Sequence, residues 1–214
     1  MVFPVVGLSR TPSLTLLVAL VLLLLSSGLV EGSRLGVAIL VVLLGLVLLT
    51  AVHVVTYERR HRIVPAGLAL AWLAFTLWHL AAPAYPVKIA SVIAFIAFGG
   101  FVVAVVLHRI VTAAKVDSEV ICGSIALYLL LSVNWAVSYH LLETLSPGSF
   151  SNVGPLEAIM SNQFLYYSLT TITTLGYGDI TPATPFAQIW SAMEAVTGVF
   201  YMAVLVARLV SLYR

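Results

Sequence analysis

The chain has 214 residues, of which 62% are hydrophobic and only 8% carry a charge, and its mean hydropathy is +1.13. Soluble domains usually contain about 25% charged residues, so this composition excludes an ordinary soluble fold and indicates a membrane protein. The net charge of +2 is too small to indicate a nucleic-acid partner, and a single cysteine, Cys122, excludes an intrachain disulfide.

Six runs of the sequence are apolar enough to cross a bilayer, which takes about 20 residues in a helix. In chain order they are Leu14–Val30, Leu35–Tyr57, Ala66–Ala82, Ile89–Leu107, Val120–Leu142 and Phe186–Leu212. The first run follows Arg10 and precedes small residues, so a cleaved signal peptide is the alternative interpretation there. We predict an all-α membrane protein with six transmembrane helices.

The basic residues predict how these spans are oriented. The segments Tyr57–Arg62 and His108–Lys115 hold five of the ten Lys and Arg residues, and cytoplasmic loops are enriched in such residues. Six spans with both termini in the cytoplasm place the two segments inside and the loop before the last span outside. We expect a multi-pass protein of the plasma (inner) membrane, surrounded by lipid, in which Arg208 extends to the headgroups.

The charged stretch 108–119 is the expected boundary between a four-helix unit (1–107) and a pore unit (120–214). As a cytoplasmic linker it suits either a helix along the inner membrane surface or a plain connector. The fourth span has no charged residue between Lys88 and His108. Because a voltage-sensing span needs several arginines, the four-helix unit is not expected to sense voltage steeply.

The stretch "TTLGYGDITP" (Thr173–Pro182) interrupts the apolar C-terminal part. A short helix is predicted before it, beginning at Pro155, which suits a first helical turn, and ending near Thr173. The glycines that follow do not continue a helix. Irregular backbone at membrane depth persists only where protein buries it or where it lines water. These features predict a re-entrant pore helix followed by a pore-lining segment.

The residue types in this segment suit the binding of a dehydrated cation. Rings of carbonyl oxygens can replace the hydration shell of K⁺. Gly176 and Gly178 adopt unusual backbone conformations without a Cβ clash, and they alternate with Leu175 and Tyr177. Thr174 can add a ring of hydroxyl groups. One chain supplies only one strand of such a ring, so a symmetric oligomer is expected.

The segment "TTLGYGD" resembles the potassium-channel signature TVGYGD, and the resemblance extends over Val120–Arg214. It implies a homotetramer with an outer helix, a pore helix, a filter and an inner helix in each subunit. It places the selectivity filter at Thr174, Leu175, Gly176, Tyr177 and Gly178. The permeant K⁺ ions would bind at Thr174, Leu175, Gly176 and Tyr177, and no organic cofactor is expected.

The resemblance also implies residues that support the filter: Asp179, Tyr166, Tyr167, Thr170 and Glu194. Asp179 would lie at the outer mouth, with the Tyr167 hydroxyl as a candidate partner. Some bacterial members have a Glu at the position of Thr170, so their buried acid pair is absent here. Glu194 is a functional candidate as an ionisable residue in a membrane span. It would bind threonine hydroxyls behind the filter, concentrate cations near the cavity, or join helices.

Two further expectations concern gating and function. Gly198 matches the inner-helix glycine of the family and is either a gating hinge or a site of close helix packing. The main functional hypothesis is a potassium-selective channel. The alternatives are a weakly selective cation channel, because Leu175 replaces the usual Val, and a transporter or accessory membrane subunit. The sequence contains no H-E-x-x-H, G-x-S-x-G or phosphate-loop motif, so an enzyme is not expected.

Overall fold

A computed structural model of the chain describes residues 12–29, 47, 50, 63–82, 84–154 and 162–212. Apart from positions 47 and 50, the predicted second span lies outside the described residues. So do the start of the predicted pore helix at Pro155 and the N-terminal residues before Pro12.

The described elements are mainly helical. In chain order they are α1 (Pro12–Leu29), α2 (Ile63–Ala81), α3 (Tyr85–Thr112), α4 (Ser118–Leu145), β1 (Phe150–Ser151), α5 (Asn162–Ile172), β2 (Thr181–Pro182) and α6 (Pro185–Leu212). Within the described part, α3, α4 and the Pro185–Leu205 portion of α6 are long and apolar enough to cross a membrane. Shorter apolar stretches lie in α1 and α2. The prediction of an all-α, multi-pass membrane protein is confirmed, whereas the number of six spans stays a prediction.

The stretch between the predicted fourth and fifth spans forms no surface helix of its own. Helix α3 continues to Thr112 because Ile110 is still buried in the core, at 3% exposure. Residues 113–117 then connect it to α4. The Asp117 carboxylate accepts the Val120 N–H at 2.9 Å and caps α4. The structure therefore contains the plain connector, and it is shorter than the sequence pattern indicated.

The helices pack in a chain of neighbours. Helix α2 packs on α3, and both α3 and α1 pack on α4. In α3, the side chains of Val92, Phe95, Val102 and Val106 recur at helical spacing and are buried. Trp72 of α2 meets Phe95 edge-on, with 5.8 Å between ring centroids. Helix α4 also contacts α5 and α6, so it joins the N-terminal helices to the C-terminal ones.

A small antiparallel hairpin fixes the loops beyond α4. Strand β1 pairs with β2, with Phe150 opposite Pro182. The Glu143 carboxylate at the end of α4 accepts the N–H groups of Gly148 (2.7 Å) and Phe150 (3.0 Å). Gly148 has φ of +85°, which glycine adopts easily. The hairpin thus ties the end of α4 to the residues that follow "GYGD".

Candidate functional site

The segment that follows α5 is bonded back onto the end of that helix. The N–H groups of Leu175 and Gly176 both donate to the Thr170 carbonyl, at 2.8 and 3.1 Å. The Thr174 N–H donates to the Thr171 carbonyl at 2.9 Å. Carbonyls in the last turn of a helix have no partner within the helix, so these bonds satisfy groups that would otherwise be unpaired. Segment 174–178 therefore starts from a fixed position.

The backbone of segment 174–178 alternates in the sign of φ. Thr174, Gly176 and Gly178 have φ of +60°, +50° and +78°, whereas Leu175 and Tyr177 do not have positive φ. Such alternation turns successive peptide units so that their carbonyls can face one side. Glycine accepts positive φ freely, but for a β-branched residue such as Thr174 it is rare. A non-glycine residue held in this region costs about 1–3 kcal/mol, and such residues cluster at functional sites.

The side chains of this segment are uncovered in a single chain. Leu175 is 57% exposed and Tyr177 is 66% exposed. Both lie in a part of the chain that follows a well-packed helix, and neither the hairpin nor α6 covers them. Exposed apolar side chains next to an ordered backbone indicate a surface that another molecule covers.

Asp179, at the end of the segment, has three hydrogen-bonded contacts. The Tyr166 hydroxyl donates to its Oδ2 at 2.7 Å, and the Ile180 N–H donates to its Oδ1 at 3.0 Å. The Asn152 side-chain amide donates to its backbone carbonyl at 2.9 Å. The Tyr166 hydrogen bond lowers the pKa of Asp179 below its usual value. The Tyr166 ring also stacks on Tyr177, with 6.3 Å between centroids.

The expected contact between Tyr167 and Asp179 is wrong, because the neighbouring residue, Tyr166, makes it. The Tyr167 hydroxyl bonds the Ser191 hydroxyl of α6 at 2.8 Å, and its ring meets Tyr139 edge-on. Consecutive residues on an α-helix are about 100° apart around the axis. The two tyrosines therefore face different sides of α5, one toward the exposed segment and the other toward α6.

Glu194 joins three helices at one buried point. Its side chain is fully buried, and the Tyr139 hydroxyl of α4 donates to its Oε2 at 2.5 Å. The Ser168 hydroxyl of α5 bonds its Oε1 and also lies 2.8 Å from the Ser132 carbonyl. A buried carboxyl group is tolerable only with such partners. The expectation of threonine partners is wrong, since the hydroxyls come from Tyr139 and Ser168. The burial favours a role in joining helices over direct contact with a cavity.

Thr170 supports segment 174–178 through its backbone and not through its side chain. Its hydroxyl donates to the Tyr167 carbonyl of the same helix at 2.9 Å. Its backbone carbonyl accepts the N–H groups of the segment. The carbonyl of Ile172, a fully buried residue in the last turn of α5, accepts the Tyr128 hydroxyl of α4 at 2.9 Å. Two carbonyls in the last turn of α5 are thus bonded, one to segment 174–178 and the other to α4.

Gly198 lies where α6 passes the end of α5. A Cβ placed on Gly198 would overlap the Ile172 carbonyl oxygen and lie 2.9 Å from Ile172 Cγ1. Helix α6 runs without interruption through this position. The structure therefore contains the close approach of two helices that was one of the two expectations for Gly198, and the hinge stays a prediction.

Sequence reasoning missed three hydroxyl residues of α4 that bind this site, namely Tyr128, Ser132 and Tyr139. They are separated by four and seven residues, which places them on one face of the helix. This row of hydroxyl groups along one face of an apolar helix was the sequence feature that could have identified them. Asn152 was also missed, because it lies in a loop and reaches Asp179 only through the hairpin.

Comparisons with known proteins agree with this geometry. Residues 121–214 match the family model described as "Ion channel". The chain is 35% identical over 86 residues to Two pore potassium channel c of Oryza sativa subsp. japonica, which covers 40% of this chain and 18% of that relative. No solved structure matches the chain. The C-terminal part is thus similar to ion-channel domains, and both similarities point to a channel and not to an enzyme.

Proposed function

We propose that this chain is one subunit of a homotetrameric, potassium-selective channel that conducts K⁺ passively across the plasma membrane, with both termini in the cytoplasm. The alternating backbone of segment 174–178, bonded to the end of α5, carries the proposal. Successive carbonyl rings from four subunits would replace the hydration shell of K⁺. The relative that is named a potassium channel is 35% identical to this chain over 86 residues, which also supports the proposal.

The uncovered surfaces support a tetramer. In α6, only 17% of the membrane-spanning window is buried, compared with 50% in α4. Large apolar side chains of α6 are exposed in the single chain: Phe186, Ile189, Met193, Val199, Phe200 and Val204. In the proposed tetramer this face meets neighbouring subunits and the cavity. Leu175 and Tyr177 would pack behind the filter of the assembled channel.

The proposed conduction pathway follows from the backbone chemistry. K⁺ would bind between the carbonyls of Thr174, Leu175, Gly176 and Tyr177, with the Thr174 hydroxyl at the inner end. The C-terminal end of α5 carries partial negative charge, which favours a cation nearby. At the outer end, the Asp179 carboxylate raises the local concentration of cations. The Leu175 side chain does not remove the carbonyl of that residue, so K⁺ binding does not require Val.

Reversal potentials test this function. The purified full chain in a planar bilayer, under a K⁺/Na⁺ gradient, should show unitary currents that reverse near the K⁺ equilibrium potential. Reversal midway between the two equilibrium potentials would instead identify a weakly selective cation channel. Flux without unitary currents would identify a transporter, and no flux in a correctly folded oligomer would leave an accessory subunit as the remaining interpretation.

The variant Gly178→Ala tests the filter assignment. Nothing in the described part of the chain lies within 4 Å of a Cβ at Gly178, but its φ of +78° disfavours alanine. Selective K⁺ flux should be lost while the oligomer still assembles. Gly67→Ala in α2, where a Cβ also meets no described residue within 4 Å, is the matched control and should keep normal flux. Normal K⁺ over Na⁺ selectivity in Gly178→Ala would contradict the assignment.

Voltage dependence tests the proposed role of α3. This helix carries no charged residue between Lys88 and His108, so no charge crosses the membrane field with it. Steep gating requires about 3–4 charges in each of four subunits. Conductance in symmetric K⁺ should therefore vary only weakly with voltage. A sigmoid curve that requires on the order of ten charges per channel would contradict this part of the proposal.

A further inference from the structure

The hydroxyl of Ser168 lies within hydrogen-bond distance of two acceptors at once. Its Oγ is 2.8 Å from the Ser132 carbonyl oxygen of α4, which can accept a hydrogen bond but cannot donate one. It also lies in short contact with Oε1 of Glu194 on α6. A hydroxyl group carries one proton, so Ser168 can donate to only one of these two oxygens. A second proton is needed to fill both contacts.

The neighbouring hydroxyl groups do not supply that second proton. The Ser132 hydroxyl lies 3.2 Å from Ser168 Oγ, so its proton can point at Ser168 but not into either of the two contacts. The Tyr139 hydroxyl donates to the other carboxyl oxygen of Glu194, Oε2, at 2.5 Å. Among the described residues, the remaining source is the carboxyl group itself. With a proton on Oε1, Glu194 donates to Ser168, Ser168 donates to the Ser132 carbonyl, and each contact contains one proton.

The surroundings of Glu194 also favour a neutral carboxyl group. Its side chain is fully buried, where an ionised carboxylate without a compensating charge is costly. The titratable side chains that act on it are Tyr128 and Tyr139 of α4 and Tyr167 of α5. Tyrosines are uncharged at neutral pH, and no described lysine, arginine or histidine acts on the carboxyl group. A bound proton would remove the cost of a buried charge.

Glu143, near the end of α4, has the opposite arrangement. Its two carboxyl oxygens accept the N–H groups of Gly148 and Phe150, at 2.7 and 3.0 Å. Each of these contacts already contains the proton of an N–H group, so none has to come from the carboxyl group. Glu143 and Glu194 thus form a matched pair of hydrogen-bonded carboxyl groups, of which only the second needs a proton of its own.

We propose that Glu194 is a proton-binding site, a neutral carboxylic acid that donates from Oε1 to Ser168 and thereby joins α5 to α4 and α6. Ser168 lies two residues before Thr170, whose carbonyl accepts the N–H groups of Leu175 and Gly176. Release of the proton leaves a buried charge and removes the donor to Ser168, so the end of α5 shifts and K⁺ conduction falls. This last step rests on the proposed channel function, whereas the bound proton does not.

Infrared spectra of the purified full chain in lipid vesicles test the bound proton directly. A protonated carboxyl group has a C=O stretching band at higher frequency than the peptide groups, and exposed carboxyl groups are ionised at neutral pH. The unmodified protein should show this band at neutral pH, and Glu194→Gln should lose it. Glu143→Gln, the matched control, should keep it. Absence of the band from the folded, unmodified protein, or its full intensity in Glu194→Gln, would overturn the inference.

Tyr139→Phe is a second variant, which keeps the inference testable if Glu194→Gln does not fold. It removes the donor to Oε2, the carbonyl oxygen of the protonated group, and keeps the ring. The band should remain and move to higher frequency, because a C=O group stretches at higher frequency once it loses a hydrogen bond. Tyr85→Phe removes a hydroxyl that donates to the Thr144 carbonyl and should leave the band unmoved. An unmoved band in Tyr139→Phe would show that the proton is not on Glu194.

The pH dependence of K⁺ current in planar bilayers tests the functional step. At neutral pH the folded protein holds a proton that the unfolded chain has released, so a rise in pH acts against the folded arrangement. The current should therefore be lost as the pH on both sides of the bilayer is raised from neutral to alkaline values. Glu194→Gln, whose amide donates to Ser168 and releases no proton, should not show this loss, whereas Glu143→Gln should.

The same alkaline loss of current in Glu194→Gln as in the unmodified channel would overturn the functional step. Absence of K⁺ current from an unmodified protein that shows the infrared band would instead overturn the proposed channel function. A conducting channel without the band would overturn the proton-binding site alone, so the two failures are distinguishable.

Discussion

Helices α4–α6 and helices α1–α3 use their polar side chains in different ways. The first group is joined by hydrogen bonds between side chains on different helices, such as that from Trp190 Nε1 to the Ser138 hydroxyl at 3.0 Å. In the second group the hydroxyls of Ser26, Ser27 and Ser91 bond carbonyls three residues earlier in their own helices. The contacts between α2 and α3 are mainly apolar, as in the Trp72–Phe95 pair.

This difference has a physical consequence in a membrane. Lipid tails are as apolar as leucine, so apolar side chains gain little by leaving lipid for a helix interface. Apolar helices then associate only through the fit of their surfaces, and several arrangements of the helices can provide such a fit. A hydrogen bond between named partners selects one arrangement. The helices that position segment 174–178 carry the specific bonds, as the accurate geometry of the proposed cation site would require.

The largest expected effect concerns the buried carboxyl group of the first group of helices. Glu194→Ala removes the partner of the Tyr139 and Ser168 hydroxyls and leaves a cavity, so it should lower the free energy of unfolding by roughly 2–5 kcal/mol and abolish K⁺ flux. Thr76→Val in α2 removes a hydroxyl that has no partner in the described part of the chain and should be neutral or slightly stabilising. Unfolding in detergent titrations measures both. Equal effects would remove the distinction between the two groups.

Two glycines provide the next comparison. Gly198→Ala should destabilise the fold by about 1–3 kcal/mol, since its Cβ overlaps the Ile172 backbone, and it should reduce K⁺ current by displacing the end of α5. The added Cβ of Gly100→Ala in α3 meets nothing within 4 Å among the residues that the structure describes, so this variant should be neutral or stabilising by up to about 1 kcal/mol. Thermal unfolding and unitary current are the measurements. A Gly198→Ala variant with normal stability and current would show that the close approach is unimportant.

Two fully buried serines separate bonds across helices from bonds within a helix. The Ser132 hydroxyl lies 3.2 Å from that of Ser168 on another helix, whereas the bond of Ser91 within the described residues is to the Lys88 carbonyl of its own helix. Ser132→Ala should lower the free energy of unfolding by about 0.6 kcal/mol, the mean for hydrogen bonds between membrane helices. Ser91→Ala should change it less. Detergent titration of both variants checks the order, which the reverse ranking would contradict.

The smallest effect is expected at Asp179, which is exposed to solvent, and only at acid pH. The pKa of Asp179 is lowered in the fold, so its contribution is complete above the unfolded value of about 3.9 and is lost as pH falls through the lower folded value. Tyr166→Phe removes the main cause of that shift, so the acid loss of K⁺ current should move to higher pH. Current against external pH measures it, with Tyr85→Phe as control. If the loss of current at acid pH occurs at the same pH in Tyr166→Phe, the Tyr166 bond does not stabilise the carboxylate.

Local sequence patterns predicted the helical membrane fold and the position of the turn after α5. Both depend on residue types within a few positions, namely runs of apolar residues and the glycines of "GYGD". The partners of Glu194 were not predictable in the same way, since Tyr139 is 55 residues away and Ser168 is 26 residues away. The choice between Tyr166 and Tyr167 as the partner of Asp179 depended on the rotation of α5 about its axis, which adjacent identical residues do not reveal.

What the sequence by itself determined is the environment of the chain and the chemistry available at the turn. Its low charge and long apolar runs require a membrane, and its alternating glycines permit the backbone of segment 174–178. Only the tertiary structure decided that Gly198 touches Ile172 and that Nη2 of Arg208 donates to the Val111 carbonyl at the end of α3 instead of extending to the lipid headgroups. These contacts join residues that are distant in the chain, and they exist only because α4 holds α3, α5 and α6 in one arrangement.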